Sequence, residues 1–106
     1  MRLSNSEIDG IIQGITPFIT ITPAELRLYG SRVDDQKKGG DIDLLLIVPS
    51  NLKDTIKFEK HKILAKIKNN IGDRKIDLLI CDDASLQSDP FVTLIFPTST
   101  ALKTWE

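Results

Sequence analysis

The 106-residue chain is poor in the side chains that form cross-links or bind soft metal ions. It holds a single cysteine, Cys81, and a single histidine, His61. One cysteine excludes an internal disulfide, and the two residues together are too few ligands for a structural zinc site. We therefore expect a protein of a reducing compartment, the cytoplasm.

The chain also has no long apolar run and no excess of charge of one sign. No stretch approaches the length of a membrane span, and residues 1–6 are too polar for a signal peptide, so we expect a soluble protein without membrane contact. Fourteen Lys and Arg against 15 Asp and Glu give a formal net charge of −1, unlike a strongly basic nucleic-acid-binding domain. Only the lysine-rich stretch 53–68 offers a local basic patch, and nucleic acid binding stays open.

The apolar residues that are present follow helix and strand periods within one domain, residues 1–106. The predicted helices cover residues 5–14, 53–70 and 91–96. The predicted strands cover residues 24–29, 41–48, 75–81 and 100–106, the last at a sheet edge. The second strand is apolar on both faces, which predicts a central position, and with the following helix and the third strand it is expected to form a βαβ unit. We interpret residues 82–90 as a polar connection. The fold class is α/β in the broad sense (α+β): a small mixed sheet of three to four strands, with helices packed mainly on one face.

Carboxylates interrupt two of the apolar strands. Asp41 and Asp43 open the second strand, and Asp77 lies inside the third. Side chains two apart on a strand face the same way, with Cα atoms roughly 6–7 Å apart, and pairing of the two strands would bring Asp77 against them. Clustered carboxylates repel one another, and hard oxygen ligands select Mg²⁺ or Mn²⁺. The pattern predicts a site for two such ions, of the kind that serves phosphoryl or nucleotidyl transfer.

A Gly-Ser turn stands just ahead of these carboxylates. Gly30 allows close approach of the backbone to a phosphate, and a helix beginning at Ser31 would aim N–H groups at it. Neither a P-loop nor a dinucleotide-binding fingerprint is present to do this instead. Arg32 is either a triphosphate contact or a solvated loop arginine, and Asp82 is the rival of Asp77 as a metal ligand.

Three motifs together resemble the minimal nucleotidyltransferases of the DNA polymerase β superfamily: Gly30-Ser31-Arg32, Gly40-Asp41-Ile42-Asp43-Leu44 and Lys75-Ile76-Asp77-Leu78. The resemblance spans nearly the whole chain. It implies that the Gly-Ser turn, with Arg32 beside it, holds the triphosphate. It also implies that Asp41 and Asp43 bind two Mg²⁺ ions, and that Asp77 helps to bind metal and to orient the acceptor hydroxyl.

The same resemblance implies an activity and a partner. The expected reaction is transfer of NMP from a nucleoside triphosphate, AMP from ATP above all, to a hydroxyl with release of pyrophosphate. Small members of the family are encoded with a HEPN-domain protein, and some are antitoxins that attach AMP to a tyrosine of that toxin. Two alternatives stay open: a non-catalytic antitoxin or regulatory subunit that binds its partner directly, and a tRNA-end nucleotidyltransferase. Homo- and hetero-oligomers both stay open.

Overall fold

The computed structural model describes residues 3–30 and 42–106. This part of the chain folds into five α-helices and four strands. The helices are α1 (Asn5–Ile15), α2 (Ser50–Phe58), α3 (Lys60–Ile71), α4 (Asp83–Ser88) and α5 (Pro90–Ile95). The strands are β1 (Ala24–Tyr29), β2 (Ile42–Ile47), β3 (Ile76–Cys81) and β4 (Thr100–Trp105). No helix within these described ranges combines the length and the apolar character needed to cross a bilayer.

The four strands form one mixed sheet in the order β3-β2-β1-β4. Strands β2 and β3 run parallel, whereas β1 is antiparallel to both of its neighbours, β2 and β4. The predicted mixed sheet, the central second strand and the last strand at a sheet edge are therefore confirmed. Because β2 and β3 are parallel, the chain between them crosses over the sheet as helices, as the βαβ prediction requires.

The sheet has two unequal faces, which follow from the alternation of side chains along each strand. The first face carries residues such as Ile42, Leu44 and Leu46 of β2, and it packs against α1, α2 and α3 in the main hydrophobic cluster. The second face carries Leu45 and Ile47, which form a smaller cluster with residues of α4 and α5. The longer helices thus lie on one face and two helices of six residues on the other.

Helix α1 starts at a capping box and then lies close against α3. The hydroxyl of Ser4 accepts from the N–H of Glu7 at 3.1 Å, and the Ser4 N–H donates to the Glu7 carboxylate at 3.0 Å. Further along, a Cβ at Gly14 would lie 2.8 Å from Ile67 Cγ1, so the two helices need a glycine at this crossing. Arg74 forms an ion pair with Glu7, which joins the start of α1 to the segment that enters β3.

Two predictions about helices are wrong. The stretch 53–70 is two helices rather than one, because Glu59 leaves the helical region at φ −94° and ψ 8° and separates α2 from α3. The polar stretch 82–90 is also not a plain connection, since it contains α4. Apolar periodicity missed α4 because its six residues carry one large apolar side chain, Leu86, and its first turn is fixed by hydrogen bonds to Asp82. The short helix predicted at 91–96 is confirmed as α5, which begins one residue earlier because Asp89 caps it.

Candidate active site

Asp43 and Asp77 are neighbours on adjacent parallel strands. They are direct register partners in the β2–β3 pairing, and neighbouring strands lie about 4.8 Å apart. Both side chains belong to the set that faces the second face, near the amino-terminal ends of their strands. Asp43 is partly buried and Asp77 is exposed. The ladder continues beyond the pair, where the N–H of Ile42 donates to the carbonyl of Lys75 at 2.9 Å, so both backbones are fixed at this point.

Gly30 lies directly against one of these carboxylates. The antiparallel register of β1 and β2 pairs Tyr29 with Asp43, and Gly30 is the next residue, with φ +78°. A Cβ added to Gly30 would lie 2.5 Å from Asp43 Oδ2 and 3.2 Å from its Cγ. Any larger residue would therefore be strained in its backbone and would also collide with the carboxylate. Gly30, the glycine of the predicted phosphate-binding turn, is therefore in direct contact with the Asp43 carboxylate.

The other predicted site residues lie outside the described residues. These are Ser31, Arg32 and Asp41, and their roles stay predictions. Within residues 3–30 and 42–106, no group of three or more His, Cys, Asp or Glu side chains is arranged to hold a metal ion. What the described part offers is a pair of hard oxygen ligands, Asp43 and Asp77, of the chemical type that Mg²⁺ and Mn²⁺ prefer.

Tyr29 couples this carboxylate pair to the cluster on the second face. Its side chain is buried, and its pKa rises to about 12 because of burial first and then the negative charges of Asp77 and Asp43. The phenol therefore stays protonated at neutral pH, so it is a hydrogen-bond donor and not a base.

Phe91 lies beside the site, although its place in the sequence predicts only that it belongs to a helix. Its ring meets the ring of Tyr29 edge to face, with centroids 6.1 Å apart and an interplanar angle of 79°, and the residue is 50% exposed. Asp89 fixes the first turn of α5 by accepting from the N–H groups of Phe91 and Val92 at 2.9 and 3.4 Å. The Asp-Pro pair at 89–90 is a helix-start signal that places Phe91 in a first turn.

Asp82, the rival of Asp77, lies at the other end of β3. Five residues along a strand separate the two by roughly 16 Å. The Asp82 carboxylate accepts from the hydroxyl and the N–H of Ser85 at 2.9 and 3.0 Å and from the hydroxyl of Ser50 at 3.0 Å. These hydrogen bonds, those from Ser85 first, with Lys53 nearby, lower its pKa to about 2. The position and contacts of Asp82 are those of a helix cap that ties α4 to α2.

Cys81 and Trp105 are buried in the fold, and His61 lies on the surface. Cys81 is a free, buried thiol whose pKa burial raises to about 11, so it is unreactive at neutral pH. Trp105 is buried and donates from Nε1 to the hydroxyl of Thr16 at 3.1 Å. His61 is exposed on α3.

A family model described as a nucleotidyltransferase domain matches residues 15–95, which is more than half of the chain and includes Gly30, Asp43 and Asp77. No curated protein and no solved structure matches the chain significantly. The matched region runs from the end of α1 to the end of α5, so it contains strands β1 to β3 and the helices on both faces. The chain belongs to the nucleotidyltransferase-domain family.

Proposed function

We propose that this chain transfers NMP, with AMP from ATP as the leading case, to a hydroxyl group of a partner macromolecule. Family membership supports nucleotidyl transfer as the general reaction. The observation that carries the finer proposal is the register pairing of Asp43 with Asp77 beside Gly30. It combines two acidic ligands with a turn whose backbone is open to close approach by a phosphate.

The reaction is an in-line displacement at the α-phosphorus. The acceptor oxygen forms a bond to this phosphorus while the bond to the oxygen that bridges to the β-phosphorus breaks, and pyrophosphate leaves. In this proposal Asp77, which is exposed, accepts a hydrogen bond from the acceptor hydroxyl, whose proton is released to water. Gly30 lets the triphosphate lie along the backbone, and Asp43 lies between that turn and Asp77.

Mg²⁺ is the cofactor that fits these residues, with Mn²⁺ as a substitute. Asp43 and Asp77 carry like charges on adjacent strands, and a divalent cation would relieve their repulsion. Asp41 is the proposed further ligand. When bound, two such ions would supply positive charge to the triphosphate and make the acceptor hydroxyl more acidic.

The proposed acceptor is a protein, a HEPN-type toxin that the chain would neutralise by adding AMP to a tyrosine. This step rests on the resemblance of the motifs to minimal nucleotidyltransferases that are encoded with HEPN-domain partners. In such a pair the partner surface would present the hydroxyl to the exposed Asp77. A hetero-oligomer with that partner is part of the proposal.

The test measures transfer of label from α-labelled ATP in the presence of Mg²⁺. The protein is incubated in parallel with total protein and with total RNA of the native host. We expect a labelled protein band. The double variant Asp43→Asn, Asp77→Asn should lower transfer more than about a hundredfold, because it removes groups aimed at the reacting phosphate. The matched control is Asp54→Asn, which changes an exposed aspartate on α2 and should transfer label normally. Undiminished transfer by the double variant would sink the proposal, and label in RNA alone would move it to the tRNA-end alternative.

A second candidate function is direct binding of the partner without transfer. The observation that favours it is that α5 exposes two large apolar side chains three residues apart, Phe91 at 50% and Leu94 at 73%, which suit a protein-binding surface. Neutralisation of the partner by the Asp43→Asn, Asp77→Asn variant, with no increase in the mass of the partner, would favour this candidate over the enzyme.

A further inference from the structure

We propose that Phe91 is the platform on which the base of the donor nucleotide stacks, an inference that rests on the proposed nucleotidyl transfer. The donor then spans two chemically different regions of the second face. Its phosphates lie at Gly30 and the carboxylate pair, and its base lies on α5.

The first support is continuity between Phe91 and the carboxylates. Phe91 contacts Tyr29 edge to face, and Tyr29 is the register partner of Asp43. Asp77 is in turn the register partner of Asp43 on β3, so Phe91, Tyr29 and the two carboxylates follow one another across the second face. Of the two exposed phenylalanines in the described part of the chain, Phe91 lies on the second face with the carboxylates, whereas Phe58 lies on α2, which covers the first face.

The second support is that the ring is both exposed and held in place. Half of Phe91 is exposed, whereas Tyr29 on its inner side is only 6% exposed and Val92 beside it is buried. Asp89 fixes the backbone N–H of Phe91 by a hydrogen bond. A ring that is already ordered loses little conformational freedom when a ligand binds, which favours affinity. Aromatic side chains beside a charged phosphate site are the usual partners of nucleic acid bases, because every base has a stacking face.

Leu94 provides the contrast on the same helix. It is more exposed than Phe91, at 73%, and lies three residues further along α5. It lines the groove between α4 and α5 with Gln87 and Pro97 and has no aromatic face to offer a base. If the exposed surface of α5 served to dock a protein, Leu94 should matter at least as much as Phe91. If it served to stack a base, only Phe91 should matter.

The test compares binding of ATP with binding of inorganic tripolyphosphate, both with Mg²⁺, by titration calorimetry on the full chain. Phe91→Ala should weaken ATP binding about tenfold and leave tripolyphosphate binding unchanged, since only ATP has a base. Phe91→Leu keeps an apolar side chain of similar size and protects the fold, and it should weaken ATP binding in the same way. Leu94→Ala is the matched control and should bind both ligands like the wild type.

A second readout follows the base directly. Phe91→Trp should retain ATP binding, and ATP should quench the fluorescence of the new indole while tripolyphosphate should not. The buried Trp105 contributes background fluorescence, which is measured on the wild-type protein and subtracted.

The outcomes separate the inference from the function on which it rests. ATP affinity that is unchanged in both Phe91→Ala and Phe91→Leu, in a chain that still transfers label, overturns the base platform and leaves the proposed function standing. Unchanged ATP affinity with loss of transfer to the protein acceptor means that α5 docks the acceptor, which also overturns it. A wild type that binds neither ATP nor tripolyphosphate with Mg²⁺ overturns both proposals.

Discussion

The two faces of the sheet are made from the same strands, yet they are covered very differently. On the first face, three helices of nine to 12 residues close over Leu44 and Leu46, which are fully buried. On the second face, two helices of six residues cover Leu45 and Ile47. Asp43 and Asp77 point to the same face as these residues but lie nearer the amino-terminal ends of their strands, outside the smaller cluster. Within the described part of the chain, the smaller cover of the second face leaves Asp77 exposed and Asp43 partly buried.

The position of the carboxylates within their strands decides which face they occupy. Asp43 and Asp77 alternate with Ile42, Leu44 and Leu78, all of which face the main cluster. A shift of either strand by one residue would turn these aspartates into the first face, where burial of an unpaired charge is very costly. The large first-face core therefore fixes the register that brings the two carboxylates together on the second face.

The largest expected effect is a difference in stability between two adjacent leucines of β2. Leu46 and Leu45 are both 0% exposed and point to opposite faces. Leu46→Ala should lower the free energy of unfolding by about 4 kcal/mol, because the tightly packed first face cannot collapse into the cavity. Leu45→Ala should lower it by about 2 kcal/mol, because the short helices of the second face can move inward. Urea denaturation measures both, and equal losses would remove the distinction between the faces.

The next largest effect is expected at Gly30 on the second face, where a substitution should reduce activity far more than its loss of stability explains. Gly30→Ala should lower nucleotidyl transfer by about a hundredfold, since the new methyl group would displace the Asp43 carboxylate and misplace the reacting groups. The left-handed backbone should cost about 1–2 kcal/mol of stability. Gly72→Ala is the matched control: Gly72 has φ +100°, but a Cβ there meets nothing within 4 Å. Gly72→Ala should lose a similar amount of stability and keep full activity. Equal activity in the two variants would show that Gly30 affects only the backbone energy and not the position of the Asp43 carboxylate.

The strands could be predicted from the sequence because both the hydrophobic alternation and the flanking turn residues were present. The βαβ pattern predicted that the third strand lies beside the second and could bring Asp77 against the other carboxylates, whereas the register that pairs it with Asp43 is seen only in the structure. The break at Glu59 could not be predicted, because the apolar positions Ile56, Ile63 and Ile67 continue across it at helical spacing. Because only Glu59 departs from the helical backbone, the spacing of the apolar residues along the sequence is almost unchanged.

The aromatic side of the site was harder to predict than its acidic side. Asp43 and Asp77 stand out because charge is unusual inside an apolar strand. Phe91 is an ordinary apolar residue in a short helix, and its place beside Tyr29 depends on how α5 folds back over the second face. That contact is tertiary, between residues 62 positions apart, and no local pattern encodes it.

The smallest effect tests the difference between Asp82, which stabilises the fold, and the carboxylates of the candidate site. The pKa of Asp82 is lowered to about 2 by hydrogen bonds from Ser85 and Ser50, with Lys53 nearby. A carboxyl group whose pKa is lower in the folded than in the unfolded state stabilises the fold above the unfolded value, near pH 4, and loses this contribution as the pH falls to about 2. Asp82→Asn retains an N-cap oxygen for Ser85 but removes the charge, so stability measured by urea denaturation should fall less steeply between pH 4 and pH 2. Glu7, whose pKa is also lowered, chiefly by its hydrogen bond from the Ser4 backbone, keeps some acid sensitivity in the variant. Asp54→Asn should follow the wild-type curve, and an Asp82→Asn curve that coincides with it would mean that Asp82 does not stabilise the fold through its charge.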